Sequence, residues 1–280
     1  MEFVKAGHSF PIIEHYNGSA WSLVTSAQPA QVGDLTAVAA VTPTNAWAVG
    51  DGHNSAGVNV PMIQHYNGSG WTEVSTPVTT AGTLTSVTAL SASNIWAAGY
   101  APVSSGLGLA GLALHYDGTS WTVSPLPAPN VPVNGEWQLS AIGASSATNL
   151  WAAGFVSDAT GLSQHAIVEH YNGTRWSVTQ APGLSASYPI NTFNAVLPIS
   201  RTNVWAIGQS ATDNQNNPVL PLVEHFDGTS WTVQPAPSLS GNHVLSFDSL
   251  AATGSGTLWS VGSRNPTGTS VWQTLTARHS

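Results

Sequence analysis

One short pattern recurs five times along the chain, and it limits the possible fold more than any other feature. Each copy has a histidine, an aromatic residue, an Asn-Gly or Asp-Gly pair, two further residues and a tryptophan. The copies begin at His15, His65, His115, His170 and His225. Their spacings are 50, 50, 55 and 55 residues. A motif that recurs at this interval predicts a repeat architecture.

A second pattern follows the same rhythm and ends in forms such as "NAWAVG" and "NLWAAG". Its copies start at Leu35, Leu84, Leu139 and Phe193, and a shorter, less regular copy starts at Leu250. Each period contains four short apolar runs, which in the first full period are residues 35–41, 46–50, 60–66 and 71–75. These runs are rich in Val, Ile, Trp and Thr and are bounded by Asn, Gly and Pro, which predicts strands. Helical periodicity is missing throughout, so the chain is predicted to be all β.

Four strands in each repeat of about 50 residues are typical of a β-propeller. We expect an all-β, five-bladed β-propeller of four-stranded antiparallel blades, with the ring closed by pairing of the N- and C-terminal strands. A single domain over residues 1–280 is expected. Its predicted blades are approximately residues 35–83, 84–138, 139–192 and 193–249, and a composite blade of 250–280 plus 1–34.

The repeated histidine and turn have structural interpretations. Asn-Gly and Asp-Gly pairs predict tight type I′ hairpins between the third and fourth strands, with positive φ at both central positions. The following tryptophan is expected to pack between blades. The histidine is predicted to be a buried polar group that hydrogen-bonds to neighbouring groups. A ring of five such histidines is too wide to share one metal ion, so no metal or other cofactor is expected.

The third-strand pattern also points to an anomaly at the C-terminus. The segment "TLTARHS" aligns with "PLVEHFDG", which places His279 54 residues after His225. The chain therefore has six copies of the third strand and five of every other strand. We expect a monomer, while the surplus third strand leaves oligomer formation open.

Composition excludes several classes of function. Five Lys plus Arg stand against 13 Asp plus Glu, for a net charge of −8, so nucleic acid is an unfavourable partner. Neither a basic amphipathic stretch nor a long apolar run predicts membrane association. The chain has no cysteine, which excludes disulfides and thiolate chemistry. Residues 1–10 lack the apolar middle of a signal peptide, so an export signal is expected to be absent or already removed. An extracellular or cell-surface location is favoured.

The repeats resemble two groups of bacterial-type proteins. The stretch "IQHYNGSGWTEV" is similar to hairpins of the fucose-binding propeller lectins. The combination of "NAWAVG" with "DGTSW" resembles β-propellers of kelch or sialidase-repeat type. The lectin resemblance implies sugar sites between blades that use an Arg on the second strand and a Glu on the third. No second strand here has an Arg, and the Glu position is occupied by Ile13, Ile63, Ala113, Val168 and Val223.

The long loops between strands 2 and 3 and between blades are expected on one face, and loops of this length are often functional. That face also collects polar and aromatic residues that do not recur in the repeats. The predicted ligand-binding residues are Asp51, His53, Tyr100, Glu136, Trp137, Phe155, Asp158, His165, Tyr188, Asp213, His243 and Asp248. Trp137 and Tyr188 lie in predicted connectors, and we expect them to be the aromatic anchors that stack on a ligand.

Three functions remain open from the sequence. A non-catalytic, lectin-like carbohydrate-binding module is the first, because aromatic rings stack on sugars while Asp, Asn and His bind hydroxyls. A protein-interaction scaffold is the second. A glycosidase or lyase is the third, with carboxylates converging near the propeller axis or with His53, His165 and His243 joining an Asp as a base or metal site. The expected partner is therefore a glycan or a protein.

Overall fold

The computed structural model describes residues 4–5, 8–9, 11–27, 33–103, 108–184, 187–212, 219–236, 243–254, 256–266 and 272–279. Throughout these ranges the regular structure is β-strand, which confirms the all-β prediction. The same ranges include no helix long and apolar enough to cross a membrane. The chain forms two compact units. Unit 1 is residues 1–102 with 111–125, and unit 2 is residues 103–110 with 126–280.

Unit 1 begins with two short hairpins and continues with two four-stranded antiparallel sheets. The hairpins are β1 (Val4–Lys5) with β2 (His8–Ser9), and β3 (Ile13–Tyr16) with β4 (Trp21–Val24). Repeat 1 is β5 (Gly33–Thr42), β6 (Asn45–His53), β7 (Asn59–Tyr66) and β8 (Trp71–Val74). Repeat 2 is β9 (Thr83–Ser91), β10 (Asn94–Pro102), β11 (Leu109–Tyr116) and β12 (Trp121–Val123).

Unit 2 contains three further repeats, which single parallel bridges join into one sheet of 11 strands. Repeat 3 is β13 (Glu136–Ser146), β14 (Asn149–Ser157), β15 (Gln164–Tyr171) and β16 (Trp176–Gln180). Repeat 4 is β17 (Ile190–Ser200), β18 (Asn203–Ala211), β19 (Val219–Phe226) and β20 (Trp231–Val233). Repeat 5 is β21 (His243–Ala252), β22 (Leu258–Pro266) and β23 (Gln273–His279).

Close packing of the backbone explains the glycine that ends each copy of the second motif. On β6, Gly50 lies beside the backbone carbonyl of Asp34, and an added Cβ would overlap that oxygen. The close approach coincides with a β-bulge in β5 between Leu35 and Ala37. The equivalent glycines, each against a carbonyl of its first strand, are Gly99, Gly154, Gly208 and Gly262. The second repeated motif is therefore a packing requirement of the first two strands.

The predicted two-residue type I′ turns are wrong. Tyr66 pairs with Trp71, so four residues connect β7 to β8, and within the Asn-Gly pair Gly68 alone has a positive φ, of 94°. The side-chain oxygen of Asn67 accepts hydrogen bonds from the backbone N–H groups of Ser69, at 3.0 Å, and of Gly70, at 3.2 Å. This Asx turn satisfies the loop internally, so the asparagine does not need the left-handed conformation.

The C-terminal strand departs from the predicted alignment by one residue. In repeat 4 the second-strand Trp205 pairs with His225, whereas in repeat 5 Trp259 pairs with Arg278 and His279 pairs with Leu258. A shift of one residue exchanges the faces of a strand. In addition, β22 has β21 on one side and β23 on the other. The third-strand position beside β22 is therefore taken by β23, and ring closure and the count of five blades remain predictions.

Candidate functional site

The repeated histidine belongs to a triad that stabilises each of the four complete repeats. In repeat 3, Nε2 of His170 donates to Oδ1 of Asn149 at 2.9 Å, and its ring stacks on Trp151 with the centroids 4.3 Å apart. Burial, with a smaller effect of Arg201, lowers the pKa of His170, which favours the neutral imidazole. The other His–Asn pairs, at 3.0–3.1 Å, are His65–Asn45, His115–Asn94 and His225–Asn203. Four of the five repeated histidines are therefore hydrogen-bonded as predicted, but they are half-buried rather than buried, and His15 is exposed.

One triad is incomplete, and it adjoins a cleft. In repeats 2 to 4 the indole N–H also donates to the asparagine of its own repeat, at 2.7–3.1 Å. In repeat 1, Nε1 of Trp47 is buried and has no hydrogen-bond partner. Nε1 of Trp121, which packs against Trp47, is also buried without a partner. Unsatisfied buried donors are rare in folded proteins and call for an explanation.

The cleft lies between repeats 1 and 2, within unit 1, and has a volume of about 550 Å³. Its aromatic wall consists of Trp47, Tyr116 and Trp121: the ring of Trp47 is 4.7 Å from Tyr116 and 5.5 Å, edge to face, from Trp121. Its exposed polar rim includes Glu73, Ser75, Thr119 and Ser120. We call this site the aromatic cleft. Trp47 and Trp121 are buried, at 3% and 6% exposed, so the half-buried Tyr116 provides the accessible ring face. A ring face next to a carboxylate and hydroxyl groups is the chemistry that carbohydrate recognition requires.

Three predicted site residues lie near one end of unit 1. Asp51 is buried on β6, opposite Asp34 on β5. Desolvation and the Asp34 carboxylate raise the pKa of Asp51, while His53 and a hydrogen bond with Thr83 act in the opposite direction. Thr83 pairs in turn with the half-buried Tyr100. The structure thus brings Asp51 and His53 together with an acid that the sequence analysis did not select, Asp34.

Trp137 is the clearest error among the predicted site residues. It lies in strand β13 rather than in a connector, pairs with Val156 and is only 6% exposed. Its ring therefore packs in the core of unit 2 and offers no free face for stacking. Tyr188, the other predicted anchor, does lie in a connector and is half-buried, and its backbone carbonyl accepts a hydrogen bond from Asn191 at 2.6 Å.

The remaining predicted residues lie mostly in unit 2. Glu136 and Phe155 are half-buried on β13 and β14. His165 is exposed and lies 3.2 Å from the hydroxyl of Ser163. Asp158 is occupied in capping its own loop, where it accepts hydrogen bonds from Thr160 and Leu162. The exposed Asp248 accepts from Ser246, His243 is described only as part of β21, and Asp213 lies outside the described residues.

Sequence reasoning missed two buried carboxyl groups. Glu169 on β15 and Glu224 on β19 occupy the position just before the repeated histidine, and both are fully buried. Burial raises the pKa of Glu169 to about 8 and that of Glu224 to about 7. Oε1 of Glu224 accepts from the backbone N–H of Gly183 at 2.9 Å, whereas neither oxygen of Glu169 has a partner. The available signal was an acidic residue that directly follows two apolar residues of its strand.

Metal-ligating groups do not converge in the part of the chain that the structure describes. Among those residues no three His, Cys, Asp or Glu side chains are grouped so that they could hold a metal ion. One predicted alternative was a metal site of His53, His165 and His243. The side chain of His243 is not among those that the structure describes, so this alternative stays a prediction.

Comparisons with known proteins agree on the fold. Neither a family model nor a curated protein sequence matches the chain. Trypanosoma rangeli sialidase in complex with 2,3-difluorosialic acid is similar, with a TM-score of 0.53 and 10% identity over 92% of this chain and 46% of that one. YCF48 from Cyanidioschyzon merolae is also similar, with a TM-score of 0.51 and 16% identity over 89% of this chain and 73% of that one.

These similarities define the class of protein. The chain has a β-propeller fold, as its repeats predicted. It spans less than half the length of the sialidase chain. At 10–16% identity the similarity establishes the fold alone.

Proposed function

We propose that the protein is a non-catalytic carbohydrate-binding module and that the aromatic cleft is its principal site. The observation that carries the proposal is the cleft itself, in which Trp47, Tyr116 and Trp121 stand beside the carboxylate of Glu73. Pockets of about 300–1,000 Å³ accommodate small ligands, and the cleft volume of about 550 Å³ lies in that range.

The polar rim favours a sugar over a purely apolar ligand. Glu73, Ser75, Thr119 and Ser120 are exposed and can accept or donate hydrogen bonds to hydroxyl groups. The half-buried ring of Tyr116, which packs against Trp47 and Trp121, supplies apolar surface for the C–H face of a sugar ring. The site also lies between two repeats, as the lectin resemblance implies, although it uses other residues.

The composition of the cleft favours binding over hydrolysis. Glycosidases generally need two carboxyl groups about 5–10 Å apart, and Glu73 is the sole acid among the cleft residues. A glycosidase or lyase would therefore have to work elsewhere, and the pair Asp34 and Asp51 is its best location.

The test is a glycan array probed with the full chain, followed by calorimetric titration of any glycan that binds. Glu73→Gln should weaken binding about tenfold, because a hydrogen bond to a charged group contributes about 1.5–3 kcal/mol. Glu14→Gln, which changes another exposed acid of unit 1 outside the cleft, is the matched control. Equal affinity of the two variants would exclude the cleft as the binding site. Release of reducing ends from the glycan would favour the glycosidase alternative.

A second candidate is the predicted loop-bearing surface, which would bind a glycan or serve as a protein-interaction scaffold. The cluster of Asp34, Asp51 and His53 supports it, because Asp51 is buried opposite Asp34 and its pKa is raised, and such perturbed groups concentrate at functional sites. His53→Ala should then weaken binding of the glycan found by the array, or of a protein ligand found by affinity purification. Unchanged affinity in this variant would exclude the cluster.

A further inference from the structure

The hairpin β3–β4 stands against repeat 1 and leaves a groove of about 390 Å³ within unit 1. One wall is formed by the hairpin, including Ile13 and His15, and the other by repeat 1, including Val38, Tyr66 and Trp71. We call it the hairpin groove. Most of its lining is aliphatic or aromatic, and it lies apart from the aromatic cleft.

The repeats themselves show what such a groove accommodates. At the junction of repeats 1 and 2, Trp47 from the second strand packs against Tyr116 and Trp121 of the following repeat. Within its own sheet, Trp47 stacks on the third-strand His65 with the centroids 4.2 Å apart. The same pattern joins repeats 3 and 4, where Trp151 contacts Phe226 and Trp231.

The hairpin is equivalent to the third and fourth strands of a repeat, and no described strand pairs with it in the position of a second strand. Across the described part of the chain β3 pairs with β4 alone, so its other edge is unpaired. Ile12 is 54% exposed, whereas Met62, at the equivalent position of repeat 1, is 3% exposed. His15 is exposed and no described tryptophan stacks on it, unlike His65.

We propose that the hairpin groove docks an extended peptide segment of a partner protein, which pairs with the free edge of β3 and places a tryptophan in the groove. By the template of repeat 1, this tryptophan stacks on His15 and contacts Tyr66 and Trp71. When a peptide adds a strand to an open sheet edge, backbone hydrogen bonds provide affinity and side-chain pockets provide specificity.

The repeats also define the chemistry of the segment. An asparagine two residues before the tryptophan would accept a hydrogen bond from His15, as Asn45 does from His65 at 3.0 Å. A glycine three residues after the tryptophan would match Gly50 of repeat 1. The chain's own β22 has this pattern only in part, and both of its edges are already paired.

The test uses a fluorescently labelled peptide with the sequence of residues 45–53, NAWAVGDGH, titrated with the full-length chain and followed by fluorescence anisotropy. We expect saturable binding and at least a tenfold loss of affinity when the peptide contains Trp47→Ala. In the protein, Val38→Glu should weaken binding at least tenfold, because it places a charge in the apolar groove. Val38 is 65% exposed, so the fold should tolerate the change.

Val133→Glu is the matched control, because that valine is 88% exposed and lies in unit 2. It should leave the affinity unchanged, and circular dichroism of both variants verifies folding. The proposal is wrong if the peptide does not bind at millimolar concentration. It is also wrong if the affinity is unchanged by Trp47→Ala in the peptide or by Val38→Glu in the protein. A groove occupied by the chain's own strand or by a second copy would give the first of these results.

Discussion

The imidazole of His170 stacks on the indole of Trp151 with the ring centroids 4.3 Å apart, and both rings donate a hydrogen bond to one oxygen of Asn149. This arrangement explains why histidine, tryptophan and asparagine recur together in repeats whose loops vary. The asparagine is the shared acceptor that fixes both rings, so the three residues act as one packing element.

Replacement of the asparagine acceptor should destabilise the fold. Asn149→Ala would leave the ring N–H groups of Trp151 and His170 unsatisfied, at about 1–3 kcal/mol for each buried donor. We expect the free energy of unfolding, measured by urea denaturation, to fall by about 2–4 kcal/mol. Asn172→Ala, in an exposed turn, should cost less than about 1 kcal/mol. Equal losses in the two variants would contradict a special role for the triad.

Trp137 should behave as a core residue. Its burial in β13 predicts that Trp137→Ala lowers the free energy of unfolding by about 3–5 kcal/mol. Trp272→Ala provides the control, because Trp272 is 57% exposed and should cost about 0.5 kcal/mol or less. A small effect at Trp137 together with weaker ligand binding would restore the original prediction that it is a stacking anchor.

The buried carboxyl groups should make stability depend on pH. Burial raises the pKa of Glu169 from its ordinary value of 4.5 to about 8. Below pH 4.5 the carboxyl is protonated in both states, and the stability is fully present. Between about pH 4.5 and 8 only the unfolded chain loses the proton, so stability falls by about 1.4 kcal/mol per pH unit. Glu224 should add a similar loss up to about pH 7.

Glu169→Gln should remove the Glu169 part of this slope. An amide is compatible with the position, because the equivalent Gln64 is fully buried and accepts a hydrogen bond from the backbone N–H of Ala27 at 3.1 Å. The variant should therefore be more stable than the parent at pH 8, as measured by thermal denaturation across pH. The exposed Glu73→Gln should follow the parent curve. A parent curve that is flat from pH 4.5 to 8 would refute the prediction.

The turn glycines should resist substitution. Gly228 has a φ of 100°, and an added Cβ would lie about 2.5 Å from Cγ2 of Thr202. We expect Gly228→Ala to lower the free energy of unfolding by at least about 1 kcal/mol. An added Cβ at Gly254 meets nothing within 4 Å, so Gly254→Ala serves as the control. If chemical denaturation shows both changes to be neutral, the turn does not need its glycine.

Part of the candidate site could be predicted from the sequence, and part could not. The end of unit 1 that contains Asp51 and His53 was predicted because the segments that follow the second motif vary between repeats, although the structure places both residues on β6 rather than in a loop. The aromatic cleft was not selected, because Trp47, Tyr116 and Trp121 belong to recurring motifs that were assigned to packing. Repetition in sequence indicates a structural role, but it does not show where packed rings also form the wall of an open cleft.

The sequence by itself determined the β class and the repeat, because strand periodicity, turn residues and motif spacing are local properties that neighbouring residues specify. Tertiary structure decided which copies are complete. It placed Trp137 in the core and shifted β23 by one residue so that Arg278 lies opposite Trp259. Across the described residues it also gave β3 a pairing partner on one edge alone. These outcomes depend on which sheets meet and on the space that remains between them, and contacts between residues distant in sequence set both.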